Sequence, residues 1–209
     1  MIGLTLKYPT LAGEGKGPEQ ALIDSWGGLD AALALLYRMN VRSIEISFIF
    51  SKMPDPVTQD ILRRLYDAGM QVSIHGALED MTGEAYLERF DFLFRTIFDH
   101  QDKLSITLHG LTDLPATKRI TGDWAQALLG TWPGITLAVE SQRVRDESFP
   151  GEKEHFRINN IPATLPKSPN VGICWDMGHY AYNVVKSGLP IETVPSPEAL
   201  SLVRHTHIH

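Results

Sequence analysis

Imidazole and carboxylate side chains recur where strand-like runs of this sequence end. His75, His109, Glu140 and Asp176 each end one such run, and His179 follows Asp176 by three residues. These side-chain types are the ligands of Zn, Mn and Co in proteins. At neutral pH imidazoles can be neutral and carboxylates ionised, which are the forms that bind a metal ion. The pattern therefore predicts a site for a divalent metal, with Mn, Co or Zn as the candidates.

The C-terminal end of the chain adds three histidines at alternating positions. His205, His207 and His209 would point to the same side of a strand, because successive side chains of a strand alternate between its two faces. Each polar strand end also has a structural interpretation, since Glu140 or Asp176 could cap the helix that follows it. Ligand-type residues end four consecutive strands and recur on the next one, and this coincidence favours the metal site.

Two further residues are candidates for contact with a substrate. Glu45 lies inside an early strand-like run, and Arg143 follows Glu140 by three residues. An arginine at that place could clamp a phosphate or carboxylate group, although a solvated loop charge is the simpler interpretation. The Gly-rich segment 13–18 lacks the spacing and the Lys-Ser/Thr ending of a phosphate-binding loop, so it is interpreted as a flexible loop.

Strand-like and helix-like runs alternate along the chain, which predicts βα units and a parallel sheet. The predicted strands are Ile2–Lys7, Ser43–Phe48, Gln71–His75, Leu104–His109, Ile135–Glu140, Val171–Asp176 and Val203–Ile208. The predicted helices are Leu29–Met39, one from Pro56 to near Gly69, Glu84–His100, Trp124–Thr131, Tyr180–Ser187 and a short one from Pro197, with Ser196 as its N-cap. The polar stretch 141–170 is expected to hold loops and one short helix.

Seven strands in 209 residues predict an α/β fold of the (β/α) TIM-barrel type. A complete barrel has eight strands, so the expected barrel is incomplete, with strand eight and the C-terminal βα unit missing. A truncated chain, an open barrel, or a second copy that closes the gap in a homodimer would each explain this. Residues 1–209 are interpreted as a single domain, whose strand ends converge at the mouth where barrel enzymes build their sites.

The composition of the chain limits the kinds of partner and the cellular location that we expect for the protein. No apolar run is long enough to cross a bilayer, so no membrane is expected as a partner. The only cysteine, Cys174, is predicted to be buried and inert, and the absence of a disulfide makes a cytoplasmic location the default. A net charge of −6 disfavours a broad nucleic-acid surface, although a local basic patch can lie on an acidic protein.

Several short motifs together resemble the xylose isomerase-like superfamily of TIM barrels, which includes sugar isomerases and epimerases and the endonuclease IV type of repair enzyme. Cys-Trp-Asp-Met-Gly-His at 174–179 resembles its Asp-x-x-His element, and Leu-Ala-Val-Glu at 137–140 resembles the strand that carries its metal-bridging glutamate. Ser-Ile-His-Gly and Thr-Leu-His-Gly resemble its strand-end histidines, Ile44-Glu45-Ile46 its second strand, and His-Thr-His its His-x-His pattern.

The resemblance implies roles for these residues. Glu140, Asp176 and His207 would be the main metal ligands, with His75 and His109 as further ligands or substrate-facing groups. His179 would be a further ligand in a repair-type site, and in an isomerase-type site it would assist catalysis beside Glu140 or contact the substrate. The family's last ligand is a glutamate on strand eight, so without that strand the expected two-glutamate proton shuttle would be incomplete.

The sequence is compatible with three functions. The leading one is a metal-dependent sugar or sugar-phosphate isomerase or epimerase that transfers a proton next to a metal-bound carbonyl. The second is an endonuclease IV-like phosphodiesterase that acts on abasic DNA, favoured by the six ligand-type residues but not by any dense basic loop. The third is a truncated barrel that binds metal or ligand without turnover.

Overall fold

The computed structural model describes residues 3–47, 55–77, 84–109, 114–143 and 157–208. They form an α/β fold whose strands alternate with helices along the chain. The strands are β1 (Gly3–Lys7), β2 (Ser43–Ser47), β3 (Gln71–Ala77), β4 (Leu104–His109), β5 (Ile135–Glu140), β6 (Val171–Asp176) and β7 (Val203–His207). The bounds of β4, β5 and β6 agree with the prediction residue by residue.

The helices of the described residues vary widely in length. They are α1 (Tyr8–Leu11), α2 (Pro18–Ser25), α3 (Leu29–Arg38), α4 (Asp55–Asp67), α5 (Glu84–Phe98), α6 (Leu114–Leu129), α7 (Arg157–Asn160), α8 (Met177–Lys186) and α9 (Pro197–Ser201), with a 3₁₀ turn at Ile161–Thr164. None of the helices in the described ranges combines the length and the apolar character that crossing a membrane requires.

The sequence missed two helices and predicted a late start for two others, α6 and α8, of which α8 begins at Met177 instead of Tyr180. Helices α1 and α2 follow β1, and α2 begins at Pro18, which is well placed in a first helical turn but was assigned to the Gly-rich loop. Helix α6 begins at Leu114, ten residues before its predicted start at Trp124. Thr121 and Gly122 lie among these ten residues, and their low helix propensity explains why the start of the helix was not predicted. The predicted N-cap Ser196 is confirmed, because its Oγ accepts a hydrogen bond from the Ala199 amide.

The expectation of a TIM barrel is wrong. Among the described residues the sheet has seven strands in chain order, β1 to β7, and β1 and β7 stand at the two ends of that order. A (β/α)₈ barrel closes eight strands on themselves. The alternation of strands and helices dictates parallel strands joined by helical crossovers, and that part of the prediction holds. Alternation carries no information on closure, which depends on strand number, tilt and stagger.

The chain divides into two compact units, residues 1–76 with 80–104 and residues 77–79 with 105–209. In the first unit β1, β2 and β3 pair in parallel, with Leu6 beside Ile46 and Ile46 beside Ile74. All three of these side chains are buried, and they form part of the apolar core of that unit.

The second unit contains the parallel strands β5, β6 and β7. Val139 of β5 and Ile173 of β6 pack in one buried apolar cluster with Tyr180, Val184 and Ala199, which lie on α8 and α9. Successive strand residues alternate between faces, so the neighbours of Val139 and Ile173 in sequence point to the opposite face of the sheet. That opposite face carries Glu140 of β5 and Asp176 of β6.

A bulge between β6 and β7 determines which side chains share a face. Ile173 pairs with Val203, but the next residue, Cys174, pairs with His205, so Arg204 is the extra residue of β7. In a regular ladder Cys174 would pair with Arg204, and the histidines would point to the other face, because a slip of one residue reverses the orientation of every side chain. The bulge therefore aligns both histidines of β7 with the polar residues of β6.

The sequence accommodates this bulge through a glycine. A Cβ at Gly172 would overlap the carbonyl oxygen of Leu202 and the side chain of Arg204, so this position requires a residue without a side chain. The guanidinium of Arg204 donates to the carbonyl oxygens of Ser201 and Val203, which ties the bulged residue to the backbone beside it.

Candidate metal centre

Glu140, the last residue of β5, is the centre of the polar cluster in the second unit. Only 2% of its surface is exposed. His207 Nδ1 lies 2.9 Å from its Oε1, His109 Nε2 lies 2.9 Å from its Oε2, and the amide of Gln142 donates to Oε2 at 2.6 Å. A buried carboxylate needs such partners to offset its loss of hydration. These contacts hold the carboxylate of Glu140 in one orientation.

Asp176 ends β6 and is fully buried. Its Oδ1 accepts the backbone N–H of His179 at 2.6 Å, so it is the N-cap of α8, as one of the two interpretations of the sequence held. Its Oδ2 lies 3.4 Å from His179 Nδ1 and 3.8 Å from His207 Nδ1. One carboxylate oxygen therefore caps the N-terminus of α8, and the other lies near the imidazoles of His179 and His207.

His179, in the first turn of α8, completes this group. Its Nδ1 lies 3.1 Å from the carbonyl oxygen of Ser141 and 3.9 Å from Glu140 Oε1. Donor atoms of Glu140, Asp176 and His179 all lie within 4.8 Å of one another. Ligands at about 2.0–2.2 Å from one ion can be up to about 4.4 Å apart, so small side-chain movements suffice to surround a metal. The second unit thus has buried His, Glu and Asp groups that could bind a metal ion.

Gln142 is a member of this site that the sequence did not reveal. Its side chain contacts the carboxylate of Glu140, while its backbone carbonyl accepts a hydrogen bond from Asn183 Nδ2 at 3.0 Å. Asn183 is a buried residue of α8, so the loop after β5 is anchored to the helix that follows β6. The position of Gln142, two residues after Glu140, was the only signal in the sequence, and an amide is not a typical metal ligand.

Glu45 and His75 belong to the first unit and contact each other there. Glu45 is a buried residue of β2 whose Oε2 accepts a hydrogen bond from Thr5 Oγ1 at 2.9 Å. His75 Nδ1 lies 3.8 Å from the same oxygen. Strand β3 continues to Ala77, so His75 precedes the strand end by two residues instead of forming it.

The remaining candidate residues of the sequence are Arg143, His205 and His209. Arg143 is exposed, and its guanidinium lies 5.2 Å from the ring centre of Tyr182, a distance typical of a cation–π contact. His205 lies on β7 beside His207, and their ring centres are 5.1 Å apart. His209 lies outside the described residues.

Comparison with known proteins gives a likeness of fold alone. No family model and no curated protein matches the chain. A solved structure described as "The crystal structure of AsfvAP:AG" is similar with a TM-score of 0.53 and 11% sequence identity, and the alignment covers 100% of this chain and 73% of that one. At this identity the likeness concerns the arrangement of strands and helices.

Proposed function

We propose that this protein is a divalent-metal-dependent enzyme that isomerises or epimerises a sugar or sugar phosphate. The observation that carries the proposal is the convergence of Glu140 Oε1, Asp176 Oδ2 and the imidazole rings of His179 and His207. This mixture of oxygen and nitrogen donors suits Mn, Co or Zn. The sequence resemblance to the xylose isomerase-like superfamily supports the same proposal.

The residues of the site divide into ligands and groups that act on the substrate. Glu140, Asp176 and His207 are the proposed metal ligands. When bound, the metal ion supplies Lewis-acid polarisation of a carbonyl group. Glu140 moves the proton on the carbon beside that carbonyl, and His179 orients the substrate. His109 holds Glu140 Oε2 and has 41% of its side chain exposed, so it can pass the proton on to solvent.

Arg143 has a substrate-binding role in this proposal, as the contact to a phosphate. A cytoplasmic location is also part of the proposal. Its support is that Cys174 is buried and, as the only cysteine of the chain, has no second cysteine with which to form a disulfide.

Proton exchange is the reaction that tests this proposal. The chain, loaded with Mn²⁺, Co²⁺ or Zn²⁺, is incubated in D₂O with a panel of ketoses, aldoses and their phosphates. We expect deuterium at the carbon beside the carbonyl of at least one sugar, with no incorporation by His179→Gln. Exchange at the same rate with and without metal would contradict the proposed mechanism, and so would the absence of exchange from the whole panel.

Two contacts of Glu140 favour a second candidate, a phosphodiesterase acting on abasic DNA. His207 approaches Oε1 of Glu140 while His109 approaches Oε2, so each carboxylate oxygen has its own imidazole. A carboxylate between two imidazoles suits a bridge between two metal ions, the arrangement common in phosphodiester hydrolysis. Two or three Zn²⁺ per chain together with cleavage of an abasic duplex would establish this candidate, whereas one ion per chain and sugar exchange would establish the first.

A further inference from the structure

A second set of metal-type donors lies beside the carboxylate cluster of the second unit. Donor atoms of Cys174, His205 and His207 all lie within 4.8 Å of one another. Cys174 is fully buried, His207 is 8% exposed, and His205 is half-buried. The sequence predicted that Cys174 would be buried, which is confirmed, but it gave no sign of histidines beside the thiol.

The bulge of β7 brings these three side chains together. Cys174 and His205 are register partners on adjacent parallel strands, and Asp176 and His207 are partners two residues further along. Partners in a parallel ladder point to the same face of the sheet. Cys174 and His205 therefore form a row that adjoins the row of Asp176 and His207 on that face.

We propose that Cys174, His205 and His207 form a binding site for a thiophilic metal ion such as Zn²⁺ or Cu⁺. A thiolate with two imidazoles is a soft donor set, which prefers these ions to Mn²⁺ or Mg²⁺. The carboxylates of Glu140 and Asp176 make the neighbouring donor set better suited to harder ions such as Mn²⁺. The chain thus offers two adjacent donor sets of different preference, which share His207. Binding of a thiophilic ion by the thiolate set does not depend on the reaction proposed above.

Glu140 is the positioning residue for this second site. An ionised carboxylate can only accept, so the contact of 2.9 Å between His207 Nδ1 and Glu140 Oε1 is a hydrogen bond donated by the imidazole. A neutral imidazole that donates from Nδ1 has its lone pair on Nε2, where it can bind a metal. Carboxylate–histidine pairs of this kind orient the ligating ring in many metal sites.

Titration with Co²⁺ tests the site directly, because cobalt bound to a thiolate gives a charge-transfer absorption in the near ultraviolet. Cys174 is the only cysteine, so any such absorption reports on this residue. We expect the absorption in the native chain, its loss in Cys174→Ser, and at least about tenfold weaker binding in His205→Asn. Zn²⁺ should displace the cobalt and abolish the absorption.

The control is a histidine of the first unit, His100, whose ring stacks on Tyr66 at 4.4 Å. His100→Asn should leave the absorption and the cobalt affinity unchanged. Thermal unfolding of each variant in the absence of metal identifies any that fails to fold, and Cys174→Ala then serves as the second variant. Native chain that shows no charge-transfer absorption at saturating Co²⁺ would overturn the proposal, as would an affinity that His205→Asn and His207→Asn leave unchanged.

Discussion

Two buried glutamates, one in each unit, show how similar sequence patterns lead to different surroundings. Glu45 is 4% exposed and Glu140 is 2% exposed, and a histidine approaches each of them. Glu45 accepts a hydrogen bond from the hydroxyl of Thr5, and His75 lies 3.8 Å away. Glu140 instead has imidazole nitrogens at 2.9 Å from each of its two oxygens.

The difference follows from where each glutamate lies on its strand. Glu45 is the middle residue of β2, between the buried Ile44 and Ile46, whereas Glu140 is the last residue of β5. The carboxyl end of a strand in an α/β protein is open to groups from loops and from the next helix. A buried acid is therefore a candidate metal ligand where several elements place nitrogen or oxygen donors beside it. Burial of the acid alone is not enough to predict a metal site.

Replacement of Glu140 tests this comparison with the largest expected effect. Glu140→Gln should weaken Mn²⁺ or Co²⁺ binding at least about 100-fold, since replacing even an outer partner of a ligand costs 10- to 100-fold. Glu45→Gln should weaken it less than about tenfold. Isothermal titration calorimetry measures both variants, with the exposed Glu192→Gln as control. Equal losses for Glu45→Gln and Glu140→Gln would remove the distinction between the two glutamates.

The bulge that positions the histidines can be disturbed at Gly172. Gly172→Ala places a methyl group against the carbonyl oxygen of Leu202, so we expect a destabilisation of about 2 kcal/mol and weaker metal binding. Chemical denaturation followed by fluorescence measures the stability. Gly122→Ala in α6 is the matched control, because a Cβ there meets nothing within 4 Å and alanine favours a helix. A neutral Gly172→Ala would show that the bulge does not depend on this glycine.

Gln142 offers a smaller test of how Glu140 is held. Gln142→Ala removes the donor at 2.6 Å from Oε2, which should weaken metal binding about tenfold while the fold is retained. The exposed Gln126→Ala on α6 should change neither property. Unchanged metal affinity in Gln142→Ala would mean that His109 and His207 suffice to orient the carboxylate.

The smallest expected effect concerns the apolar face of the second unit. The hydroxyl of Tyr180 is buried and has no hydrogen-bond partner among the described residues. Tyr180→Phe should therefore leave metal binding unchanged and keep or raise stability, by up to about 1 kcal/mol. A clear loss of stability in urea denaturation would show that the hydroxyl has a favourable interaction.

The pH dependence of Tyr180→Phe has a definite sign. Burial raises the pKa of Tyr180 above its ordinary value of 10.0, so the unfolded chain loses the phenolic proton first as pH rises. The ionisation of Tyr180 should therefore leave the free energy of unfolding of the native chain unchanged below pH 10 and should lower it above pH 10. Tyr180→Phe should lack that part of the alkaline loss, as denaturation curves on both sides of pH 10 would show.

The sequence was most informative where strands are buried and end in a ligand-type residue. Strands β4, β5 and β6 were predicted to the residue, because each is an apolar run closed by His109, Glu140 or Asp176. The association of Glu140, Asp176 and His179 follows from parallel strands, whose carboxyl ends lie on one side of a sheet. Periodicity cannot predict closure of a sheet, and this is why the barrel prediction failed.

Pairing across strands was also beyond the reach of the sequence. The alternation of His205 and His207 was visible, but their partners on β6 depend on a bulge at Arg204 that no turn residue marks. Without the register, Cys174 could be recognised only as a buried cysteine. The role of Gln142 similarly depends on the geometry of the loop after β5 and on its contact with Asn183.

Anomalous diffraction from crystals grown with Mn²⁺ or Zn²⁺ tests the central claim most directly. A metal centre built on Glu140 predicts an anomalous peak about 2.0–2.2 Å from both Glu140 Oε1 and Asp176 Oδ2, with the imidazole of His179 or His207 completing the coordination. No peak within coordination distance of Glu140 at saturating metal would contradict the claim.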